Sequence, residues 1–164
     1  MKSKNLIFLT LLPFFGFSQI FSIAELMRLT SKGFDNFDTY VTSKGYSFYA
    51  NHDTQDSKGK CYSFGQKDYS KMASFFITYF NYQPNSNEVL ISWQTTNKAN
   101  YLRVKNELKQ LNFKFVKEES YEDCSNLNYK KGVFYLNLYS CQKPGDQGIL
   151  STTYEISISN YTTD

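Results

Sequence analysis

Apolar side chains at every second position in three segments are the feature that most constrains the fold of this chain. Apolar residues recur at every second position in Val89, Ile91 and Trp93. The same spacing is found in two later segments, at Phe134, Leu136 and Leu138 and at Tyr154, Ile156 and Ile158. Because side chains on a strand alternate between its two faces, this period predicts strands with one covered face. The sequence therefore predicts an α+β fold, an antiparallel sheet with helices packed on one face.

Three amphipathic segments supply the helices that would cover that face. Ser22 and Glu25 form a capping box at the start of the first helix. Asp35 is the predicted cap of the second helix, and Asn97 is the predicted cap of the third. Left-handed terminators are predicted at Gly33, Gly45 and Asn112.

The order of these elements repeats along the chain. Gly45–Phe48 and Asn112–Phe115 each place a helix terminator before an aromatic, a polar and a second aromatic residue. We therefore predict two helix-then-sheet units, about 22–95 and 97–160, related by duplication and sharing one sheet. Chance similarity between aromatic-rich strands is the alternative. The segment from Phe115 to Asn128 is interpreted as a polar loop.

Residues 1–18 have the features of a secretory signal peptide. Two lysines precede an apolar stretch too short to span a bilayer, and the small residues Gly16 and Ser18 precede Gln19 at the spacing that signal peptidase requires. We expect cleavage after Ser18, which leaves 19–164 as a single exported domain in the periplasm or outside the cell. No later apolar run approaches membrane length, so no membrane span is expected in the mature chain.

The net charge argues against a nucleic-acid partner. The whole chain has 18 basic and 15 acidic residues, a formal charge of +3. Removal of the signal takes away two lysines and no acid, so the mature chain is close to neutral. Nucleic-acid binding requires a basic face, whereas these charges are interspersed.

The sequence contains no recognisable catalytic, metal-binding or phosphate-binding pattern. His52 lies in a predicted loop, and Asp53 is too close along the chain to orient its ring as a catalytic triad requires. The densest acidic segment, 118–123, lacks the order and the glycine of a calcium loop. We therefore expect no enzyme activity, no cofactor and no metal.

Three cysteines in an exported chain predict one disulfide and one free thiol. Cys61 and Cys141 alternate onto the sides of their strands away from the helices, whereas Cys124 falls in the predicted polar loop. We therefore predict a Cys61–Cys141 disulfide, which requires Cα atoms within about 7 Å. The other two pairings stay open, because sequence alone cannot choose between them.

The strand sides that point away from the helices form a surface that we call the open face. It carries Ser92, Gln94, Tyr135, Asn137, Tyr139, Glu155, Ser157 and Ser159. Tyrosine buries a large ring and keeps its hydroxyl in water, which suits an interface. The alternative is that tyrosines fill half-buried strand positions. The predicted binding residues are Tyr135 and Tyr139 as anchors, with Asn137, Ser92 and Gln94 beside them.

The chain resembles a group of small exported bacterial proteins with no assigned function. The resemblance rests on Phe17-Ser-Gln19, Leu26-Met-Arg-Leu29, Thr42-Ser-Lys-Gly-Tyr46 and Val89-Leu-Ile-Ser-Trp93 before the third helix. The predicted topology is also similar to that of duplicated helix-sheet proteins that inhibit β-lactamase, a likeness of fold alone.

Together these features predict a non-enzymatic binding or inhibitory module that uses the open face for a protein or glycan partner. Two alternatives stay open, a small extracytoplasmic hydrolase with an unrecognised site and a structural component of the cell envelope. The oligomeric state is also left open.

Overall fold

The fold is described by a computed structural model. It covers residues 20–55, 57–65, 75–82, 88–144 and 150–160. The predicted signal peptide and its cleavage point before Gln19 lie outside the described residues, so both stay predictions.

Three helices and eight strands account for most of the described chain. The helices are α1 (Ile23–Thr30), α2 (Phe34–Ser43) and α3 (Lys98–Gln110). The strands are β1 (Tyr46–Asn51), β2 (Ser57–Phe64), β3 (Phe75–Tyr82), β4 (Val89–Thr95), β5 (Lys114–Tyr121), β6 (Cys124–Lys131), β7 (Phe134–Pro144) and β8 (Leu150–Asn160). All eight strands form one antiparallel sheet, so the predicted α+β class is confirmed. None of the helices in the described ranges is long and apolar enough to cross a membrane.

The sheet consists of two four-stranded meanders joined at their last strands. Its order is β1-β2-β3-β4-β8-β7-β6-β5, and the central pair β4 and β8 is antiparallel. Helices α1 and α2 precede the first meander, and α3 precedes the second. The last described strand, β8, therefore lies in the middle of the sheet.

Side-chain caps fix the starts of α1 and α3 as predicted. The Glu25 backbone N–H donates to Ser22 Oγ at 3.1 Å, and the Ser22 backbone N–H donates to the Glu25 carboxylate at 2.7 Å. At α3, the Ala99 backbone N–H donates to Asn97 Oδ1 at 2.8 Å. Each cap satisfies backbone donors that the first helical turn leaves unpaired.

The predicted terminators have left-handed backbone, but the predicted cap of α2 is wrong. Gly33, Gly45 and Asn112 have φ values of 72°, 88° and 57°. Helix α2 begins at Phe34, with Gly33 at its N-cap position and no side-chain cap. Asp35 therefore lies inside the first turn. Its negative charge there interacts favourably with the helix dipole, but its side chain does not cap a backbone N–H.

The covered face of the sheet holds the hydrophobic core. Helices α1 and α3 pack on β4 and β8, and α2 packs on β1. Trp93 is fully buried, as its strand pattern predicts, between Ile77 on β3 and Ile156 on β8. The ring of Phe21, just before α1, meets the Trp93 indole edge-on at 5.9 Å between centroids.

The outer strands of the two meanders share local details. A register shift follows Phe48 in β1, and another follows Phe115 in β5. Phe48 packs edge-on against Tyr62 at 5.9 Å, and Phe115 packs edge-on against Tyr129 at 5.6 Å. These matches support a duplicated origin, which stays a prediction.

The predicted polar loop between Phe115 and Asn128 is wrong. Strands β5 and β6 form a hairpin there, turning at Glu122, which has a left-handed φ of 49°. Strand β5 is exposed along nearly its whole length at the edge of the sheet. Because a strand exposed on both faces needs no alternation of apolar residues, its sequence is indistinguishable from that of a loop.

Candidate functional site

The structure brings the predicted open-face residues together on one side of the sheet. They form three rows across β4, β8 and β7: Ser92, Ser157 and Asn137; Gln94, Glu155 and Tyr139; and Ser159 with Tyr135, a row that Leu90, which was not predicted there, completes on β4. The helices lie on the other side, and no described helix or strand packs over these rows. The assignment of residues to the two faces is therefore correct.

Glu155 is held in place on the open face by three neutral donors. The hydroxyls of Ser92 and Ser157 donate to Oε1 at 2.7 and 2.9 Å. The side-chain amide of Gln94 donates to Oε2 at 3.0 Å. No lysine or arginine of the described residues forms an ion pair with Glu155. The carboxylate is therefore held in one orientation, and no cation of the described residues compensates its charge.

A second glutamate in the same row has the opposite environment. The row that contains Glu155 continues through Tyr139 and Asn126 to Glu119 on β5. Lys117 Nζ lies 2.7 Å from Glu119 Oε1, so this charge is compensated within the chain. The two carboxylates thus form a natural matched pair for comparison.

A cavity of about 380 Å³ lies beside Glu155 on the first half of the open face. Aromatic rings from Tyr49, Phe76 and Phe80 form part of its lining, and the first two pack edge-on at 5.1 Å. Gly59 lies under the ring of Phe80, and a Cβ at Gly59 would stand 2.7 Å from that ring and 2.6 Å from the His52 carbonyl oxygen. The absence of a side chain at Gly59 therefore lets Phe80 lie against the strand.

Cys61, His52 and Thr78 line the same cavity. Burial raises the pKa of the Cys61 thiol, and a hydrogen bond with Thr78 offsets this only in part. None of the hydrogen bonds among the described residues joins Cys61 to His52. Nucleophilic cysteines need a lowered pKa. The geometry therefore gives Cys61 no activation as a nucleophile, although it does place the thiol and the imidazole along one lining.

The predicted binding residues divide between the cavity and the neighbouring strand. Ser92 and Gln94 line the cavity, whereas Tyr135, Asn137 and Tyr139 lie on β7 beyond Glu155 and are half-buried. The Lys130 ammonium donates to the Tyr135 hydroxyl at 2.5 Å and lies 4.6 Å from the centre of its ring. The binding role of all five residues stays a prediction.

The predicted Cys61–Cys141 disulfide is wrong. The structure pairs Cys124 with Cys141 on the adjacent strands β6 and β7, with Cα atoms 4.1 Å apart, and leaves Cys61 free and buried. Strand β2 lies four strand spacings from β7, which is about 19 Å and too far for a bridge. All three cysteines do lie on the open face. The prediction therefore had the correct face for Cys61 and Cys141 but the wrong neighbouring strands.

Sequence reasoning placed Glu155 on the open face but did not select it as a site residue. Its cavity is assembled from β1, β2, β3, β4 and β8, whose adjacency the sequence does not reveal. One signal was present, since Glu155 is a single charged residue within a strand that otherwise alternates apolar residues with Ser and Thr. In the described ranges, no three His, Cys, Asp or Glu side chains come together as metal ligands would.

Comparison with protein-family models, with curated proteins and with solved structures finds no match to this chain. The resemblance to small exported bacterial proteins and the likeness to β-lactamase inhibitors therefore stay predictions.

Proposed function

We propose that the protein is an exported, non-enzymatic binding module that docks a protein partner on its open face. The observation that carries this proposal is the one-sided cover of the sheet. Helices α1, α2 and α3 pack on one face, and no described element packs on the other. A sheet face with tyrosines and small polar residues, over which none of the described elements packs, suits a docking surface.

The dimensions of the open face favour a protein over a small ligand. Eight strands give seven spacings of about 4.8 Å, or a width of about 34 Å. Strands of seven or eight residues are about 25 Å long. The product, about 850 Å², is close to the roughly 800 Å² that each partner contributes to an interface of standard size.

The side chains of the open face also favour recognition of a protein. Tyr135 and Tyr139 supply rigid amphipathic rings, and serines and asparagines beside them supply adaptable hydrogen bonds. Tyrosine combined with such small polar residues is the composition that antibody binding loops use. The tyrosines have few rotatable bonds, so they lose little conformational entropy on binding.

Export is supported by two independent features of the chain. Residues 1–18 have the pattern of a cleaved signal, and the Cys124–Cys141 disulfide suits an oxidising compartment. We therefore propose a location in the periplasm or outside the cell.

Site-specific photo-crosslinking in the native host tests the proposed docking. A photoreactive phenylalanine analogue replaces Tyr139 on the open face, and the control replaces Leu102, which is 45% exposed on α3. We expect a discrete protein adduct from position 139 and none from position 102. Equal adducts at both positions, or ladders of the protein with itself, would favour an envelope component instead. Carbohydrate adducts at position 139 would assign the face to a glycan.

A further inference from the structure

The carboxylate of Glu155 has room for one more donor at one of its oxygens. Oε1 already accepts from Ser92 and Ser157, which occupies its two lone pairs. Among the described residues only Gln94 donates to Oε2, which leaves one lone pair of Oε2 for a ligand. A charged donor is favoured there because the described residues supply no cation to this carboxylate.

This hydrogen-bonding pattern selects an ammonium group over a guanidinium group. Guanidinium binds a carboxylate best in a planar fork that uses both oxygens, and Oε1 of Glu155 has no lone pair left for it. An ammonium is a point charge that needs a single acceptor. Glu155 therefore presents the geometry for one N–H donor approaching Oε2.

The walls of the cavity suit an aliphatic stem that ends in a cation. The rings of Tyr49, Phe76 and Phe80 can pack against methylene groups, and aromatic faces also attract an ammonium group. A volume of about 380 Å³ lies near the lower end of the range for ligand cavities and is ample for one long side chain.

We propose that this cavity receives a lysine side chain of the protein that docks on the open face, an inference that rests on the proposed function. The stem lies between the aromatic rings, and the ammonium donates to Glu155 Oε2. An anchor that fills a cavity near the middle of an interface is the arrangement in which few residues carry most of the affinity.

The test uses n-butylammonium as a free mimic of the lysine side chain. The full exported protein, labelled with ¹⁵N, is titrated at constant ionic strength and observed through its backbone amides. We expect shifts confined to the amides around Phe76, Thr78 and Ser92. Neutral n-butanol, which has the same stem, is expected to bind at least tenfold more weakly, because it lacks the charge that Glu155 recognises.

Three variants connect the binding to the cavity. Glu155→Gln removes the charge and is expected to weaken n-butylammonium binding at least tenfold. Glu119→Gln is the matched control on the same row of the open face, and it is expected to change binding less than twofold. Thr78→Lys keeps Glu155 but supplies an ammonium from within the chain, and it is expected to abolish binding even if Glu155→Gln fails to fold.

The inference is overturned if n-butanol binds as well as n-butylammonium, or if Thr78→Lys binds as the wild type does. Photo-crosslinking at position 139 separates this failure from failure of the proposed function. If the adduct at position 139 forms but n-butylammonium does not bind, the docking proposal stands and the proposed lysine anchor is wrong. With Glu155→Gln, the adduct is expected to fall at least tenfold. An undiminished adduct would show that the partner inserts no lysine there.

Discussion

The two meanders of the sheet are covered in different ways. The first is preceded by two helices, and the ring of Phe21 joins Tyr46 and Trp93 in a fully buried cluster. The second is preceded by one helix, α3, whose main contacts fall on β4 and β8. Strand β5 at its outer edge is exposed along nearly its whole length.

The less covered meander has the disulfide. Cys124 and Cys141 link β6 to β7 within the second half, while Cys61 in the first half stays free. Buried aromatic rings stabilise the first half by removing apolar surface from water. The disulfide stabilises the second half by restricting the unfolded chain. The two halves are therefore stabilised in different ways, the first by buried aromatic rings and the second by a covalent link between neighbouring strands.

Replacement of Trp93 by alanine has the largest expected effect, because it removes the centre of the better covered half. The indole is fully buried, so Trp93→Ala is expected to lower the free energy of unfolding by about 3–5 kcal/mol. Urea denaturation followed by circular dichroism measures the change. The control Leu102→Ala, at an exposed site on α3, is expected to stay within about 0.5 kcal/mol of the wild type. A small loss of unfolding free energy in Trp93→Ala would contradict the view that the first meander is the better covered half.

Removal of the disulfide should destabilise the second half by a somewhat smaller amount. The bridge spans 17 residues of sequence, and the double variant Cys124→Ser with Cys141→Ser is expected to lose about 3 kcal/mol. Dithiothreitol should have the same effect on the wild type. Cys61→Ala is the control, and it should remain sensitive to dithiothreitol. Non-reducing peptide mapping that finds Cys61 in a bridge would contradict the strand order.

Acid should weaken the first half through Glu25. Burial alone would raise the pKa of Glu25, but hydrogen bonds from Tyr40, the Ser22 backbone and Lys44 outweigh it and lower the pKa from 4.5 to about 2. Because the pKa is lower in the folded state, this contribution is complete above pH 4.5 and is lost as the pH falls toward 2.

After allowance for solvent screening, we expect about 2 kcal/mol of acid-sensitive stability from this carboxylate. Denaturation curves at pH 6 and pH 2.5 measure it. Glu25→Gln should be less stable than the wild type at pH 6 and should lose less stability on acidification. Parallel losses in both proteins would place the acid sensitivity elsewhere.

Substitutions in the outer strands β1 and β5 have the smallest expected effects and compare the two meanders at equivalent positions. Phe48 and Phe115 are 53% and 57% exposed, and each packs edge-on against a tyrosine of the neighbouring strand. Cross-strand aromatic pairs contribute about 0.2–1 kcal/mol. Phe48→Ala and Phe115→Ala are therefore each expected to cost less than about 1 kcal/mol and to agree closely in thermal denaturation. A large difference would argue against equivalent positions in a duplicated fold.

The sequence predicted the parts of the fold that depend on short spacing. The capping box of Ser22 and Glu25 and the burial of Trp93 follow from residues within one or two turns or along one strand. The disulfide was predicted wrongly because it depends on which strands are neighbours. The face to which a side chain points follows from its odd or even position along its own strand. Which strands become neighbours depends instead on long-range pairing, here that of β4 with β8.

The candidate site was predictable to the same extent. Parity identified the open face and placed Ser92, Gln94 and Glu155 on it. The cavity beside Glu155 also needs Phe76 and Phe80 from β3, which reach it only after the sheet has formed. The spacing of residues within one strand carries no record of such long-range contacts.

The position of the last strand imposes an order of events on the growing chain. Strand β8 lies between β4 and β7, so β4 has no second neighbour until residue 160 has been made. At about 5–20 residues per second, synthesis from residue 95 to residue 160 takes roughly 3–13 s. During that interval β4 is an unpaired sheet edge and is open to wrong pairing. The two meanders are therefore joined into one sheet only after β8, which lies between them, has been made.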